Sequence, residues 1–439
     1  MSSIPHASSP WQRWFKLHSH HTTVQRECLA GTTTFLTMVY ITVVNPGILS
    51  DAGMDFGAVF VATCLAAAIG SILMGLLGNY PVAQAPGMGQ NAFFTYTVVL
   101  GMGFTWQTAL GAVFLSGLIF IALSILPVRE WLINSIPTSL KLGIAAGIGL
   151  FLGFLGLQNS GVVVANPATM VSLGELAAWG PVICLISFVT MVVLAARGVT
   201  GAVIVGITVG TVLGIVSGQA EFQGIVSRPP SLSPVWLQLD LAGAFQLSML
   251  TVILTFLIVD VFDTAGTMVG VANRAGLVDA QGRLPRLRGA LLADSTATAS
   301  GALLGTSSTT SYIESAAGVA AGGRTGLTAV FCGLLFLGCL FFAPLAQTVP
   351  AYATAAALLY IACLMVSSLR DLNWDDVTEA TPAVIAALAM PLTFSITEGV
   401  AFGFISYALI KLLSGRATEC PTAVYLFAVL FMLKYAFLS

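Results

Sequence analysis

Apolar stretches long enough to cross a lipid bilayer recur along almost the whole chain. A transmembrane helix needs roughly 20 apolar residues, and shorter runs suit broken or re-entrant segments. Only 8% of the 439 residues are charged, whereas soluble domains carry about 25%. So few charges cannot cover a water-soluble surface of this size. The sequence therefore predicts an all-α, multi-pass membrane protein.

Fourteen apolar spans and one further run can be placed along the sequence. The first seven spans lie near 30–49, 57–78, 82–99, 106–126, 139–157, 180–197 and 200–217. The second seven lie near 247–268, 287–304, 308–320, 326–345, 350–368, 382–396 and 397–413, after a linker over 218–246. The last run, 421–438, either crosses the membrane again or lies in its interface.

The basic residues support this count and orient the chain. If residues 1–29 form a cytoplasmic N-terminal tail, fourteen of the 16 Lys and Arg residues fall on the cytoplasmic side, as the positive-inside rule requires. These are Arg13, Lys16, Arg26, Arg129, Lys141, Arg197, Arg274, Arg283, Arg286, Arg288, Arg324, Arg370, Lys411 and Arg416. We therefore expect a protein of the cytoplasmic membrane with its N-terminus inside.

Two sets of seven spans predict an inverted repeat. Because seven is odd, the second set begins on the opposite side of the membrane from the first, which is a common plan in transporters. The third span contains Val82–Asn91 and the tenth contains Gly305–Glu314; both are short, rich in small or helix-breaking residues, and polar in the middle. We therefore predict that segments 3 and 10 are broken and that a ligand binds between them.

Two carboxylates lie inside the eighth span. A charged residue at the centre of a membrane helix costs about 3 kcal/mol on insertion scales, so it usually faces the protein interior or a cavity. Asp260 and Asp263 are three residues apart and share one helix face. Their repulsion favours a proton on one of them. Both are candidates for proton coupling, and Asp263 also for substrate binding; the alternative is a stabilising contact with a neighbouring helix.

The tenth span offers a third carboxylate beside an irregular backbone. Glu314 follows the small, polar run that begins with Gly305, Thr306 and Ser307. Such a run suits an extended backbone whose N–H and C=O groups line a cavity. We expect these residues to contact substrate, and Glu314 to accept hydrogen bonds from ring N–H or amino groups and to take part in proton coupling.

The broken third span adds an amide and several aromatic rings. Asn91 has both donor and acceptor groups, and it fits either substrate contact or a tie that holds the broken backbone. Phe94 is a candidate for stacking on a planar ligand. Tyr40, Phe93 and Phe262 are further candidates, although aromatic residues in membrane helices more often serve packing.

Several classes of function are disfavoured by what the sequence lacks. No histidine lies beyond His21, so proton coupling must run through Asp or Glu and zinc-dependent hydrolysis is disfavoured. A phosphate-binding Walker loop is also absent. The seven cysteines lack metal-ligand spacing, and a net charge of −2 gives no sign of nucleic-acid binding. We expect no enzymatic activity and no cofactor other than a proton as coupling ion.

The chain resembles the nucleobase–cation symporter-2 family, in its adenine/guanine/hypoxanthine permease branch. The resemblance covers nearly the whole chain and rests on Thr32–Pro46, Ala85–Phe94, Phe262–Thr267, Tyr312–Val319 and Gly322–Gly326. It implies proton-coupled uptake of purine nucleobases, with substrate held between segments 3 and 10 by carboxylates that match Asp263 and Glu314. The wider family has Glu at the position of Asp263. The family often forms dimers, so a homodimer is expected.

The resemblance also implies a division into two domains. A core domain would comprise 30–126 and 247–345, and a gate domain would comprise 139–217 and 350–413, with 421–438 as an extra C-terminal helix. The runs at Ala85–Phe94 and Gly305–Thr309 look closest to adenine permeases. Asp260 and Ala316–Gly318 also look like hypoxanthine/guanine relatives. Anion transporters share the fold, but they favour positive potential at the crossing of the broken segments.

Overall fold

The computed structural model describes residues 10–125, 136–277 and 284–437, without the side chains of Pro10, Trp11, Phe262, Ala265, Val269, Asn273 and Phe437. Two of the basic residues used to orient the chain, Arg129 and Arg283, lie outside the described residues. The described chain is mostly helical, and its helices follow the apolar stretches of the sequence.

The first half of the chain contains nine helices and three short strands among the described residues. They are α1 (Pro10–Trp14), α2 (Val24–Met38), α3 (Ile41–Asp51), α4 (Phe56–Leu73), β1 (Gln84–Pro86), α5 (Met88–Ala92), α6 (Trp106–Ile125), α7 (Thr138–Asn159), β2 (Val163–Asn166), β3 (Met170–Leu173), α8 (Trp179–Ala196) and α9 (Ala202–Val216). Helices α4 and α5 continue without interruption as wider π-helical turns, Met74–Gly78 and Phe93–Gly101.

The second half is built in a similar way. Its elements are α10 (Leu241–Ala244), α11 (Leu250–Ala275), α12 (Leu287–Leu304), β4 (Thr309–Ser311), α13 (Ser315–Ala320), α14 (Gly326–Cys339), α15 (Ala343–Thr348), α16 (Ala351–Val366), α17 (Val377–Thr393), α18 (Ile396–Leu413) and α19 (Thr422–Phe437). The turn between α17 and α18 is made by Phe394, whose φ of 54° is left-handed, close to the predicted boundary at 396/397.

The first membrane helix begins at Val24, earlier than the predicted start at residue 30. Thr23 precedes it as an N-cap, and its side chain accepts a hydrogen bond from the backbone N–H of Arg26 at 3.3 Å. Phe15 and Leu17 are buried before it. The described part of the predicted tail is therefore anchored to the protein at these residues, while most of its other side chains are exposed.

The prediction of an all-helical chain is wrong at two places. Strands β2 and β3 form an antiparallel hairpin after α7. Strands β1 and β4 pair with each other in antiparallel register, although they lie in different halves of the chain. A backbone that leaves the helical conformation inside a membrane must satisfy its polar groups within the protein, and this pairing does so.

The lengths and hydropathies of the helices fit a multi-pass membrane protein. Over the described ranges, nine helices are long and apolar enough to cross a membrane. Three shorter apolar helices lie at Ala202–Val216, Val377–Thr393 and Thr422–Ala436. The two segments that were predicted to be broken add strand–helix units, β1 with α5 and β4 with α13.

The helices pack in two groups. In one group α12 packs against α4 and α6, and α14 packs against α2 and α4. In the other, α7 packs against α16 and α17, and α8 packs against α9 and α16. The elements β1, α5, β4 and α13 belong with the first group, since α4 contacts both strands and α2 contacts α13.

The last helix, α19, runs antiparallel beside α18 over the length of α18. The Phe404 and Phe427 rings meet at 5.4 Å between centroids. At the other end, Lys434 Nζ lies 2.5 Å from Glu398 Oε1, and Tyr435 donates a hydrogen bond to Glu398 Oε2. Residue 434 therefore lies beside Glu398 at the start of α18, so α19 returns along α18.

Candidate functional site

The paired strands β1 and β4 form the scaffold of the site. Gln84 lies opposite Ser311, Ala85 opposite Thr310 and Pro86 opposite Thr309. Backbone hydrogen bonds extend the pairing: Gly87 N–H donates to Ser308 O at 2.9 Å, and Tyr312 N–H donates to Ala83 O at 3.0 Å. Helix α5 starts directly after β1 and α13 starts shortly after β4, so two helix N-termini meet the middle of the membrane from opposite sides.

Glu314 immediately precedes α13, where the helix backbone begins. Its Oε1 accepts a hydrogen bond from Tyr40 Oη at 2.7 Å. Tyr40 is fully buried at the junction of α2 and α3, whereas Glu314 remains partly exposed. One carboxylate oxygen is therefore fixed by Tyr40, and no side chain of the described residues donates a hydrogen bond to the other.

Asp263 lies in the middle of α11 and is exposed there, although Asp260 and Thr264 on the same helix are buried. No hydrogen bond reaches its carboxylate from the described residues. A Cβ added to Gly266, one turn further on, would meet no atom within 4 Å, so the helix face beside Asp263 is open. The same face carries Gly270, where a Cβ would lie 3.5 Å from Ile313 Cδ1. Asp263 therefore lies on the face of α11 that turns toward the segment of Glu314.

Asp260 lies one turn before Asp263 in different surroundings. It is 1% exposed and accepts hydrogen bonds from Gln90 Nε2 at 3.1 Å and from Thr298 Oγ1 at 2.8 Å. Gln90 belongs to α5 and Thr298 to α12. Asp260 thus joins three elements of the scaffold, and both of its oxygens already have a protein partner.

A fourth carboxylate, Asp294 on α12, ties the two strands together. It accepts hydrogen bonds from Gln84 Nε2 at 2.6 Å, from Thr264 Oγ1 at 2.7 Å and from Ser311 Oγ at 3.0 Å. Since Gln84 is on β1 and Ser311 is on β4, the contact fixes the register of the strand pair. This is a structural role.

The other predicted site residues of segments 3 and 10 lie on the buried side of the break. Ser307 donates a hydrogen bond to Asn91 Oδ1, and both residues are fully buried. Thr306 Oγ1 accepts from Asn45 Nδ2 at 2.8 Å. Gly305 has a φ of 94°, and a Cβ at this position would collide with Val235. These four residues join segment 10 to its neighbours. For Asn91 the geometry therefore favours a structural role, in which it holds the broken backbone, over contact with substrate.

The aromatic candidates fall into different environments. Phe94 is fully buried in the main hydrophobic cluster. Phe93 packs edge-on against Phe256, with 4.7 Å between ring centroids. Tyr40 holds Glu314, and the Phe262 side chain lies outside the described residues. None of the three described rings is exposed in this structure.

The sequence matches a known family over most of the chain. The sequence model described as "Permease family" matches residues 25–402, a range that includes the paired strands and all three carboxylates discussed as binding or coupling residues. The chain belongs to the permease family.

Relatives of this permease cover nearly its whole length. It is 52% identical to adenine permease AdeP of Escherichia coli, over 98% of this chain and 96% of that protein. It is 48% identical to adenine permease AdeQ of the same organism, over 98% and 97%. It is 44% identical to guanine/hypoxanthine permease PbuO of Bacillus subtilis, over 96% and 99%. The expected resemblance to nucleobase–cation symporter-2 proteins is thereby confirmed.

Solved structures share the permease's fold at low sequence identity. The transmembrane domain of the cyanobacterial bicarbonate transporter BicA superposes with a TM-score of 0.64 at 15% identity, covering 86% of this chain and 97% of that one. SLC26A9 superposes with a TM-score of 0.66 at 14% identity, over 92% of this chain and 67% of that one.

Some residues that shape the permease's site were not singled out from the sequence. Gln84 donates a hydrogen bond to the carboxylate of Asp294. Gln90 and Thr298 both donate hydrogen bonds to the carboxylate of Asp260. Two amide side chains inside an apolar, Pro-Gly-rich segment were a usable signal, because an amide in a membrane needs a buried partner. The contact between Tyr40 and Glu314 joins residues 274 positions apart, and no local pattern encodes it.

Proposed function

We propose that this permease takes up purine nucleobases, adenine above the others, through a site that contains Asp263 and Glu314. The observation that carries this proposal is the open face of α11, where Asp263 lies exposed beside Gly266 and turns toward Glu314. Two carboxylates can accept hydrogen bonds from ring N–H and exocyclic amino groups. The names of the adenine permease relatives support the choice of substrate.

The choice of adenine rests on comparison more than on geometry. The guanine/hypoxanthine relatives are also similar, at 44% and 46% identity, so a hypoxanthine/guanine permease is the second candidate. Transport of anions is disfavoured, because Asp263 and Glu314 would repel an anion at this crossing. The likeness to the bicarbonate transporter concerns the fold alone.

Uptake measurements test the substrate directly. Cells without their own purine uptake would express the chain and receive radiolabelled adenine, hypoxanthine, guanine, uracil or sulfate. We expect adenine to accumulate fastest, and Asp263→Asn to abolish accumulation. Asp55→Asn makes the same charge change at an exposed helix cap and should have no effect. Accumulation of uracil or sulfate without purines would contradict the proposal.

The proposal includes proton coupling through Asp263, Glu314 and Asp260. It is supported by three membrane carboxylates at the site and by the absence of histidine beyond residue 21. Uptake should rise as the external pH falls and collapse when a protonophore is added. Unchanged uptake in vesicles that have neither a proton nor a sodium gradient would contradict active symport.

We also propose the complete plan of fourteen segments in two inverted repeats of seven. Two related contacts support it. Glu27, just inside segment 1, accepts hydrogen bonds from Thr325 and Thr328 at the start of segment 11. Asp240, just before segment 8, accepts one from Thr108 at the start of segment 4. Segments 1 and 8, and segments 4 and 11, are the pairs that a repeat of seven relates, and the antiparallel strands relate segments 3 and 10.

The two packing groups support the proposed core and gate domains. The core would contain 30–126 and 247–345 with the candidate site, and the gate would contain 139–217 and 350–413. The N-terminus would face the cytoplasm, as the basic residues indicate. A core that moves against a gate would expose the site to one side at a time.

A homodimer is proposed on the family resemblance and on one feature of the gate. Only 28% of α8 is buried within the chain, although this helix is long and strongly apolar. Such a face fits lipid or a second copy. The mass of the protein in lipid nanodiscs would decide between one copy and two.

A further inference from the structure

A cavity of about 380 Å³ is lined by neither Asp263 nor Glu314, and it lies at the Asp51 end of the candidate span Val24–Asp51. Helix α3 and helix α7 end there, and helix α16 begins there. In the proposed orientation this is the outer side. Its polar lining is made by Asp51, Tyr96, Asn159, Gln347 and Thr354.

The polar groups of this outer cavity suit a neutral heterocycle with several N–H groups. Asp51 Oδ2 accepts a hydrogen bond from Tyr96 Oη at 2.6 Å, and its carboxylate remains exposed. Asn159 and Gln347 are exposed amides that both donate and accept. Phe56 and Tyr96 supply rings, and the volume falls in the usual range for small-molecule sites.

One face of α3 connects the outer cavity with Glu314. Val43, Val44, Gly47, Ile48 and Asp51 line the cavity, and their spacing places them on one side of the helix.

Tyr40 lies one turn before Val43 and Val44 and donates its hydrogen bond to Glu314. The eleven residue-to-residue steps from Tyr40 to Asp51 span about 16 Å at 1.5 Å per residue. This face of α3 therefore leads from the outer cavity toward the carboxylate of the main site, past Val44 and Tyr40, which are buried in this structure.

Both packing groups contribute to the outer cavity. Asp51 and Tyr96 belong to the group that holds the paired strands, whereas Asn159 and Thr354 come from α7 and α16 of the other group. A ligand held by both sets of residues would bind best when the two groups stand as they do in this structure.

We propose that the outer cavity is a second purine-binding site, which a nucleobase occupies from outside before it reaches Asp263 and Glu314. The proposal rests on the proposed function for the identity of the ligand. Asp51 accepts hydrogen bonds from the ring N–H groups, and the amides of Asn159 and Gln347 pair with the remaining edge of the base.

Protection of an introduced cysteine tests the site. Thr354→Cys would be combined with Asp263→Asn, so that the main site is disabled, and a membrane-impermeant thiol reagent would be applied to intact cells. Adenine should slow the labelling at least about fivefold. Adding Asp51→Asn should remove the protection, and adding Asp55→Asn should leave it intact. The chain without the introduced cysteine gives the background.

Kinetics of the otherwise unaltered protein provide a second measurement. Asp51→Asn should raise the KM for external adenine about tenfold, the loss expected for a hydrogen bond to a charged acceptor, and should change the maximal rate by less than about twofold. Gln347→Ala keeps the contact between Asp51 and Tyr96 and should raise KM by a smaller factor.

The two proposals fail in different ways. If wild-type cells accumulate adenine but adenine gives no protection and Asp51→Asn leaves KM unchanged, the outer site is wrong and the proposed function stands. If adenine protects Thr354→Cys while wild-type cells accumulate no purine, the outer site stands as a binding site and the proposed function is wrong. If wild-type cells accumulate no purine and adenine gives no protection, both proposals are wrong.

Discussion

At the scale of single residues, Asp263 and Asp260 show how one helical turn gives two carboxylates different surroundings. Asp263 is exposed and open to a ligand, whereas Asp260 is buried and holds Gln90 and Thr298. Asp263→Asn should abolish adenine accumulation without lowering the amount of protein. Asp260→Asn removes one of the three carboxylates proposed for coupling, so uptake should depend less on the external pH. It should also lower the free energy of unfolding by about 1–3 kcal/mol, because hydrogen bonds to a charged acceptor become contacts with a neutral amide. Uptake and thermal unfolding should be measured for both variants. If Asp260→Asn abolished accumulation while Asp263→Asn accumulated adenine normally, the roles of the two residues would be reversed.

Glu314 and Tyr40 allow a second test at this scale. Glu314→Gln keeps the shape but removes the charge, so adenine binding should weaken by about 1.5–3 kcal/mol. Tyr40→Phe removes only the hydrogen bond that orients Glu314, and it should weaken binding by a smaller amount. Tyr425→Phe on α19 is the matched control, because its hydroxyl bonds to Ala417 O, away from the site. Binding of adenine to the purified variants measures all three, and wild-type affinity in Glu314→Gln would remove this residue from the site.

At the scale of elements, the start of α14 depends on a carboxylate from the start of α2. Glu27 is fully buried and accepts hydrogen bonds from Thr22, from Thr325 and Thr328, and from the backbone of Arg324. Glu27→Ala should lower the free energy of unfolding by about 3 kcal/mol or more, since several buried donors lose one shared acceptor.

The control for Glu27 is an acidic residue without such contacts. Glu175 is exposed after the β2–β3 hairpin, and Glu175→Ala should leave the melting temperature in detergent unchanged. Equal melting temperatures for the two variants would mean that Glu27 does not hold α14.

The elements also show which features the sequence could predict. Apolar length located the helices, and the Pro-Gly and Ser-Thr runs located the two breaks, because both signals act over a few residues. The pairing of β1 with β4 could not be derived in the same way, since Gln84 and Ser311 lie far apart in the sequence and meet only after both halves have folded. Likewise, the chemistry of Asn91 and Ser307 was visible, but the side of the break that they face depends on tertiary packing.

At the scale of the whole molecule, the course of α19 determines on which side of the membrane the described chain ends. In the proposed orientation it starts near the inner end of α18, and it reaches Glu398 through Lys434. Ala436→Cys should therefore react with an impermeant thiol reagent in intact cells. Thr418→Cys, in the turn before α19, should react only after the membrane is permeabilised. The reverse pattern would contradict the proposed orientation, and labelling of both cysteines in permeabilised cells alone would mean that α19 does not cross.

The turn between α17 and α18 offers a test of motion between the two packing groups. Phe394 packs against Phe151 in one group and against Tyr96 in the other, with ring centroids 5.2 and 6.0 Å apart, and its carbonyl oxygen accepts a hydrogen bond from Thr97 Oγ1 at 3.3 Å. If the core moves against the gate during transport, these contacts must separate. A disulfide between Thr97→Cys and Phe394→Cys should then reduce adenine uptake more than about tenfold, and a reductant should restore it. Each single cysteine should transport normally with or without oxidant. Undiminished uptake by a fully cross-linked protein would show that the two packing groups need not separate between Thr97 and Phe394 during transport.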